Sequence, residues 1–332
     1  MERYELVMEY GEAGTPHPVV RRRAVRKKAH RSIDEQVWQE VDQKRSEKQH
    51  EGYHEEGIES PSILPMLSIT YTKVPIHYWL TPKALQPKMD GVRGLIRQEG
   101  DGISILSRTL HPYHHLNHLK EAARSILDAY PTLVLDGELF TQELHFQDIV
   151  ERVKRRHKAH DDEKSVQFWI FDCFWTDREM PYQERRAFLE SLTCHDPFHL
   201  VAETIVESES SMQAILSLYT DYEGVILREL HANYDHRRSP YLVKVKRMEE
   251  EDARILGVAA RDCDIVFELH IESNTLVFDH RPEGTEAMKR QWLQNPSDVV
   301  GRTYSYYYNG RTKTGIPKAI TGGRIRWDLD EP

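Results

Sequence analysis

Hydrophobic and polar residues follow two different rhythms along the central part of this chain, residues 66–247. Short apolar runs bounded by turn residues predict strands, whereas longer stretches with an apolar residue every three or four positions predict helices. The predicted strands are residues 102–107, 133–135, 167–174, 224–227 and 241–246, and the predicted helices are residues 116–129, 179–192 and 211–219. This interleaving predicts a mixed α/β domain.

The C-terminal part differs because it consists mainly of short strands. After an acidic spacer at residues 249–252, strand-like patterns occur at residues 253–260, 265–271, 275–278 and 303–308. About 85 residues of short strands are typical of a small barrel such as an oligonucleotide/oligosaccharide-binding (OB) fold. Two of these strands are separated by only three residues, 272–274, which predicts a hairpin.

The first 60 residues have a third pattern of predicted elements. Two short strands are predicted at residues 4–8 and 18–25, followed by a helix over residues 32–49. Ser32 and Glu35 have the spacing of a helix capping box. A polar stretch with glycines and prolines follows, as expected of a linker.

The sequence therefore predicts three parts. A small accessory module occupies residues 1–60, an α/β domain occupies residues 61–247, and a β-barrel occupies residues 248–332.

Composition bounds the class of protein. A chain of 332 residues is too long for a single hydrophobic core. A content of 39% hydrophobic and 30% charged residues is typical of a soluble globular protein. No apolar run approaches about 18 residues, so no membrane-spanning helix is expected. Three cysteines (Cys173, Cys194 and Cys263) fit neither a disulfide framework nor a zinc site, which favours a reducing, cytoplasmic location.

Basic residues are bunched although the net charge is −9. Each cluster taken alone is compatible with a solvated face. Four clusters in an acidic protein instead suggest a polyanion that is contacted along a track, and they lie at residues 21–28, 152–160, 236–247 and 301–326.

Six short motifs occur in a fixed order along the chain. They are Lys88-Met89-Asp90-Gly91-Val92-Arg93, Ser107-Arg108-Thr109, Asp136-Gly137-Glu138, Phe168-Trp169-Ile170-Phe171-Asp172, Glu223-Gly224-Val225 and Lys244-Val245-Lys246. A lone K-x-D-G is weak evidence, because such a lysine is commonly an exposed residue at a turn. The complete series is specific.

This order resembles the covalent nucleotidyltransferase superfamily of polynucleotide ligases and messenger-RNA capping guanylyltransferases. Within it, the chain is most similar to small virus-type or phage-type ATP-dependent DNA ligases, because Ser107-Arg108-Thr109 follows the lysine motif and the C-terminal barrel is compact. The resemblance implies an α+β fold: an ATP-grasp-like adenylation domain followed by an OB-fold barrel, with the accessory module in front. That module is faintly similar to a tryptophan-glycine-arginine-type DNA-binding module, but the tryptophan and arginine are missing.

The resemblance also implies roles for individual residues. Lys88 would form a lysyl–AMP intermediate, with Arg93 and Lys246 as further catalytic residues. Nucleotide contacts would come from Lys88, Arg93, Arg108, Glu138, Phe171 (stacking on adenine), Glu223, Lys244, Lys246 and Arg326. Glu223 and Glu138 would bind the metal. DNA contacts are expected from Arg108, Arg152, Lys154, Arg155 and Arg156.

Elementary chemistry agrees with these assignments. A lysine nucleophile must lose its proton, and desolvation or neighbouring cations depress its pKa. Cationic clamps stabilise the charge of a reacting triphosphate. Magnesium is bound by one or two carboxylates beside phosphate. We therefore expect ATP and Mg²⁺, with Mn²⁺ as a substitute, and a monomer that acts on nicked duplex DNA.

Three alternatives stay open on the sequence. An RNA ligase is the nearer competitor, and a capping guanylyltransferase would use GTP and form lysyl–GMP. A nucleic-acid-binding module without activity would be expected to lose motif residues, whereas the lysine and both glutamates are present. In the C-terminal segment, Lys318 stands where an arginine is usual, and lysine lacks the planar fork of that side chain.

Overall fold

The computed structural model describes residues 4–10, 19–25, 32–50, 63–75, 77–155, 158–261, 264–273 and 275–329. Arg156, Cys263 and most of the expected linker lie outside these ranges. The chain divides into two compact units, Met1–Val245 and Lys246–Pro332.

The first unit contains strands and helices in alternation, as the central sequence pattern predicts. Its strands are β1 (Tyr4–Tyr10), β2 (Val19–Val25), β3 (Leu67–Thr70), β4 (Lys83–Lys88), β5 (Val92–Glu99), β6 (Gly102–Leu106), β7 (Leu133–Phe140), β8 (Gln167–Trp175), β9 (Phe198–Leu200), β10 (Thr204–Val206), β11 (Gly224–Glu229) and β12 (Arg238–Lys246), the last of which ends at the first residue of the second unit. Its helices are α1 (Ile33–His50), α2 (Asn117–Ala129), α3 (Phe146–Val153), α4 (Tyr182–Ser191) and α5 (Glu209–Leu218).

The N-terminal residues form a hairpin and a helix. Strands β1 and β2 pair antiparallel from Tyr4↔Val25 to Tyr10↔Val19. The capping box is confirmed, because the Glu35 backbone N–H donates to Ser32 Oγ at 3.1 Å and the Ser32 backbone N–H donates to the Glu35 carboxylate at 2.8 Å. These two bonds satisfy backbone groups that a helix leaves unpaired at its start.

Two five-stranded sheets make up the rest of the first unit. Sheet I has the strand order β10-β4-β11-β12-β3, and sheet II has the order β6-β5-β7-β8-β9. One face of sheet I packs on α5 through Leu85, Val225 and Met212. One face of sheet II packs on α2 and α3 through residues such as Leu119, Ile149 and Leu135.

The two opposite faces share a small apolar cluster. Leu242 of sheet I packs there with Leu95, Val134 and Phe174 of sheet II. Side chains two residues apart on a strand share a face. Lys244 therefore shares the face of Leu242, and Arg93 and Asp136 share the face of Leu95 and Val134. This arrangement places the motif residues on the facing sides of the two sheets.

The second unit is strand-rich, as predicted. It comprises β13 (Glu249–Arg261), β14 (Asp264–Ile271), β15 (Leu276–His280), α6 (Glu286–Gln294), β16 (Thr303–Tyr308) and β17 (Thr321–Ile325). One antiparallel sheet has the order β15-β14-β13-β16-β17, and among the described residues no ladder joins its two edge strands. The predicted hairpin is confirmed by the pairing of Ile271 with Leu276.

One prediction for this unit is wrong. The acidic residues 249–252 are not a spacer. They are the first four residues of β13, and they pair with Tyr308 to Ser305 of β16. Hydroxyl groups of the partner strand donate hydrogen bonds to this acidic run, Tyr308 to Glu249 at 2.9 Å and Tyr306 to Glu251 at 2.5 Å.

The second unit should be sensitive to acid through His280. Burial lowers its pKa to about 4, and its nearest aromatic neighbours are Tyr304 and Tyr306 at 5.7 and 6.5 Å between ring centres. Because the unfolded histidine titrates near pH 6.5, the free energy of unfolding should fall as the pH drops from about 6.5 to about 4.

His280→Gln should remove about 2 kcal/mol of this acid-dependent loss. Urea denaturation of both proteins at about pH 7 and about pH 4.5 measures it, with exposed His231→Gln as the control. An equal loss of stability on acidification in wild type and His280→Gln would contradict the assignment.

Candidate active site

Two adjacent strand ends bring Lys88 and Glu223 together. Strands β4 and β11 are antiparallel with Lys88 opposite Gly224, and the backbone N–H of Glu223 donates to the Lys88 carbonyl at 2.9 Å. The Lys88 ammonium forms an ion pair with the Glu223 carboxylate. Both side chains are largely buried, so this pair is screened less than a surface pair.

Glu138 comes from sheet II, where it lies opposite Arg93 in the β5–β7 ladder. Gly91 permits the close approach of the two strands here, because a Cβ atom on it would lie 2.6 Å from the Leu139 carbonyl oxygen and 2.7 Å from Glu138 Cγ. Burial raises the pKa of Glu138 to about 7, and the charges of Lys88 and Arg93 oppose that rise. Glu138 is therefore electrostatically coupled to the candidate nucleophile.

Arg93 is held in a fork with Asp136. Its Nε and Nη2 atoms donate to the two carboxylate oxygens at 2.8 and 2.5 Å, and Nη1 donates to the Met66 carbonyl at 2.8 Å. The Tyr234 hydroxyl donates to the same carboxylate at 2.6 Å. A phosphate contact by Arg93 would require this buried arrangement to open, which favours a positioning role.

A β-bulge in β8 sets the orientation of the Phe171 side chain. Asp136 pairs with Asp172 and Gly137 pairs with Ile170, so Phe171 is the extra residue of β8. The guanidinium groups of Arg93 and Arg228 lie 5.2 and 5.3 Å from the centre of its ring. The half-buried ring is therefore on the side of the sheet that carries Arg93.

A buried ionic network supports Phe171, and the sequence analysis missed it. Arg185 donates to both oxygens of Asp172 at 2.8 and 3.0 Å, and Arg228 donates to the same carboxylate at 2.6 Å. All three side chains are almost completely buried. The only sequence signal was a charged residue inside an apolar strand, and its partners are 13 and 56 residues away.

Lys244 lies on the face of sheet I that is turned towards sheet II, and the space between these two facing sides is called the cleft. Val243 and Val245 of the same strand point into the core with Leu85 and Val225, so the intervening lysine points the other way. Lys246 is the last residue of β12 and the first residue of the second unit.

The predicted DNA-contacting residues differ in how they are engaged. Arg108 is exposed and, in the part of the chain that the structure describes, forms no ion pair. Neighbouring groups displace part of the water around its guanidinium, and this desolvation together with the positive charges of Arg93 and Arg238 lowers its pKa. Arg152 donates to Asp162 at 3.0 Å and Arg155 to Glu151 at 2.7 Å, whereas Lys154 is exposed. Arg156 lies outside the described residues.

In the second unit, Arg326 is engaged with an acidic residue. Its Nε and Nη2 atoms donate to Asp328 at 2.9 and 2.8 Å, and Asp252 lies 3.9 Å away. The hydrogen bonds to Asp328 raise the pKa of Arg326. Lys318 is bonded through its backbone to Gly310. A phosphate ligand of Arg326 would compete with Asp328.

The described residues contain no cluster of three or more histidine, cysteine, aspartate or glutamate side chains that would hold a metal ion. Glu138 and Glu223 supply two carboxylates near Lys88. This donor set fits Mg²⁺, which commonly takes one or two carboxylates and completes its shell with substrate phosphate and water.

The arrangement is the one expected of a covalent nucleotidyltransferase: a two-sheet domain in which Lys88 is ion-paired with Glu223 and electrostatically coupled to Glu138, followed by a strand-rich second unit. A model of the ATP-dependent DNA ligase domain matches residues 65–246, more than half of the chain. The chain therefore belongs to the ATP-dependent DNA ligase family, and the predicted resemblance and fold class are confirmed.

Curated relatives are named DNA ligases. The DNA ligase of African swine fever virus (isolate Pig/Kenya/KEN-50/1950) is 28% identical over 199 residues, which cover 55% of this chain and 46% of the relative. The DNA ligase of Haemophilus influenzae is 27% identical over 266 residues, covering 77% and 90%. The matched part of the chain thus spans about half the length of the viral relatives.

Solved structures share the fold. A structure from the study of DNA binding with a minimal scaffold by Lig E DNA ligases has a TM-score of 0.61 at 20% identity, covering 80% of this chain and all of that one. The ATP-dependent DNA ligase of bacteriophage T7, in complex with ATP, has a TM-score of 0.50 at 14% identity, covering 79% and 98%. Among the described helices, none is long and apolar enough to cross a membrane.

Asp172→Ala should destabilise the first unit strongly. The change leaves Arg185 and Arg228 buried without their counterion, which costs about 3–5 kcal/mol. Urea unfolding measures the loss. Asp161→Ala is the matched control, because its exposed partner Lys158 lies 3.3 Å away and such pairs contribute about 0–1 kcal/mol. Equal stability of the two variants would show that the network is not required.

Proposed function

We propose that this protein is an ATP-dependent DNA ligase that seals 3′-OH/5′-phosphate nicks in duplex DNA through a covalent lysyl–AMP intermediate on Lys88. The observation that carries the proposal is the pairing of Lys88 with Glu223, beside Glu138. Its family membership and the names of its relatives support the same activity.

In the first step, Lys88 Nζ attacks the α-phosphorus of ATP. The Lys88 ammonium first loses one proton to give the neutral amine. The nitrogen–phosphorus bond then forms as the bond to pyrophosphate breaks, and the nitrogen releases a second proton to solvent, which leaves one N–H in the lysyl–AMP. The Glu223 carboxylate in contact with Nζ is placed to receive the first of these protons. In the second step the adenylyl group passes to the 5′-phosphate of the nick. In the third step the 3′-OH attacks that phosphate and releases AMP.

Glu138 and Glu223 would hold the divalent cation, which supplies positive charge where phosphate charge accumulates. We propose Mg²⁺, with Mn²⁺ as a substitute. Lys244 and Lys246 would neutralise the α-phosphate, and Arg326 would orient pyrophosphate. Phe171 would stack on adenine, with Arg93 keeping the ring and β7 in place through its contacts with Asp136.

Duplex binding would use the basic residues outside the cleft. Arg108, Lys154, Arg152, Arg155 and Arg156 are the proposed contacts, and the exposed, unpaired state of Arg108 among the described residues supports it most. We propose a cytoplasmic monomer in three parts, residues 1–60, 61–247 and 248–332. The division into compact units at Val245 and Lys246 supports the second boundary.

Replacing Lys88 tests the nucleophile. Lys88→Arg keeps a cation for Glu223 but lacks a nucleophilic amine, so labelling with α-³²P-ATP should be abolished, as in Lys88→Ala. Sealing of a pre-adenylylated nick bypasses the first step and should survive in part. Gel analysis of the labelled protein provides the measurement. A full-strength adduct in Lys88→Arg would refute the assignment.

Replacing Arg108 tests the phosphate contact. Arg108→Ala should weaken binding to a nick that carries a 5′-phosphate by roughly tenfold and make the slope of log K against log salt shallower by about 0.9. Binding titrations at several salt concentrations measure both. Arg261→Ala is the control, since that exposed side chain lies outside the basic clusters and is paired with Asp279 at 2.6 Å. Identical slopes for wild type and Arg108→Ala would exclude a phosphate contact.

A further inference from the structure

A largely buried carboxylate that no motif assigns lies beside the strand that carries Lys88. Glu203 directly precedes β10, which pairs with β4 through Thr204↔Leu85. Only 11% of its side chain is exposed. Its Oε2 atom accepts hydrogen bonds from the Tyr182 hydroxyl and from Gln86 Nε2, the latter at 3.2 Å. Arg186 lies 4.0 Å from the same oxygen.

Gln86 connects this carboxylate to the cleft. It is two residues before Lys88 on β4, so both side chains are on one face of sheet I. The Gln86 amide oxygen accepts from Arg228 Nε at 3.0 Å, which turns its NH₂ group towards the Phe171 carbonyl oxygen, 3.1 Å away. One side-chain amide thus contacts both the backbone of the base-stacking residue and Glu203.

The second carboxylate oxygen of Glu203, Oε1, indicates where a ligand could bind. Every hydrogen bond and ion pair that Glu203 makes with a described residue falls on Oε2, and none falls on Oε1. A carboxylate has about four acceptor positions, and Oε1 is not among the buried unpaired polar atoms of the described residues, so it is accessible to solvent. Burial raises the pKa of Glu203, while the hydrogen bond from Tyr182 opposes that rise. Oε1 is therefore available to an N–H donor of a ligand.

We propose that Glu203 selects the base of the nucleotide, because its Oε1 accepts a hydrogen bond from the exocyclic amino group of adenine. This inference rests on the proposed function, in which Phe171 stacks on that base. A purine without the amino group would leave the carboxylate unpaired. Hypoxanthine would place a carbonyl oxygen against the carboxylate, and both arrangements cost binding free energy. Glu203 would thus be a specificity residue for ATP.

The test combines a change in the enzyme with a change in the base. The rate of covalent labelling of Lys88 is measured with ATP, purine riboside triphosphate (which lacks the amino group), inosine triphosphate and GTP. Wild type should prefer ATP over purine riboside triphosphate by roughly 10- to 100-fold in kcat/KM. Glu203→Ala should reduce this ratio to about 1, mainly through a higher KM for ATP.

Two further variants control the experiment. Glu184→Ala removes an exposed carboxylate from α4 and should keep the wild-type ratio. Glu203→Gln keeps the shape and one acceptor oxygen, so its ratio should be intermediate. It also serves as the test protein if Glu203→Ala does not fold, which thermal melting reveals.

The outcomes separate the two proposals. If wild type labels with ATP but folded Glu203→Ala or Glu203→Gln keeps the full preference, the inference is wrong and the ligase assignment stands. A wild-type preference for GTP would also overturn the adenine assignment. If wild type forms no adduct with any nucleotide, the proposed function fails, and equilibrium binding of ATP against purine riboside triphosphate to the same proteins decides the role of Glu203.

Discussion

Buried arginine–aspartate pairs hold the two sheets of the first unit together, and the cleft between them depends on this constraint. Asp172 of sheet II binds Arg228 of sheet I and Arg185 of α4 with no exposure to water. A charge in such a place is tolerated only if it is paired and its remaining hydrogen-bonding positions are filled. Arg185 meets that condition by a fork onto both carboxylate oxygens, and Arg228 adds one hydrogen bond to one of them. The sheets are thus held in one relative position.

This constraint extends to the chemistry of the cleft. Arg228 also holds the amide of Gln86, and the second fork, between Arg93 and Asp136, is adjacent to Glu138. Hydrogen-bonded and oriented side chains are consequently built into the walls before any phosphate binds. Groups that are already oriented lose little freedom when the reaction begins, which is how electrostatic stabilisation acts in an active site.

The second unit stabilises a run of like charges mainly through hydroxyl groups. Its first strand begins with four consecutive acidic residues, which alone would repel one another. The opposite strand offers tyrosine and serine hydroxyls to three of them, and Arg311 pairs with Glu251 at 2.7 Å. Sequence reasoning assigned this run to a spacer because charge density usually marks exposed chain. The cross-strand partners that made it a strand are more than 50 residues away.

The sequence by itself determined the family, the order of the motifs and most of the regular elements, because strand and helix periodicity and capping are local properties. Helices α2, α4 and α5 and the Ser32 cap were predicted within a few residues. The ordered motifs also predict Lys88, Glu138 and Glu223 as site residues, and the structure brings Lys88 and Glu223 together in an ion pair. Only the tertiary structure decided which side chains face the cleft and what each one binds. Arg93 bound to Asp136, Asp172 bound to two arginines and Glu203 bound to Gln86 are all contacts between distant segments. No local pattern specifies such contacts, because they form only when two sheets pack and exclude water from the groups between them.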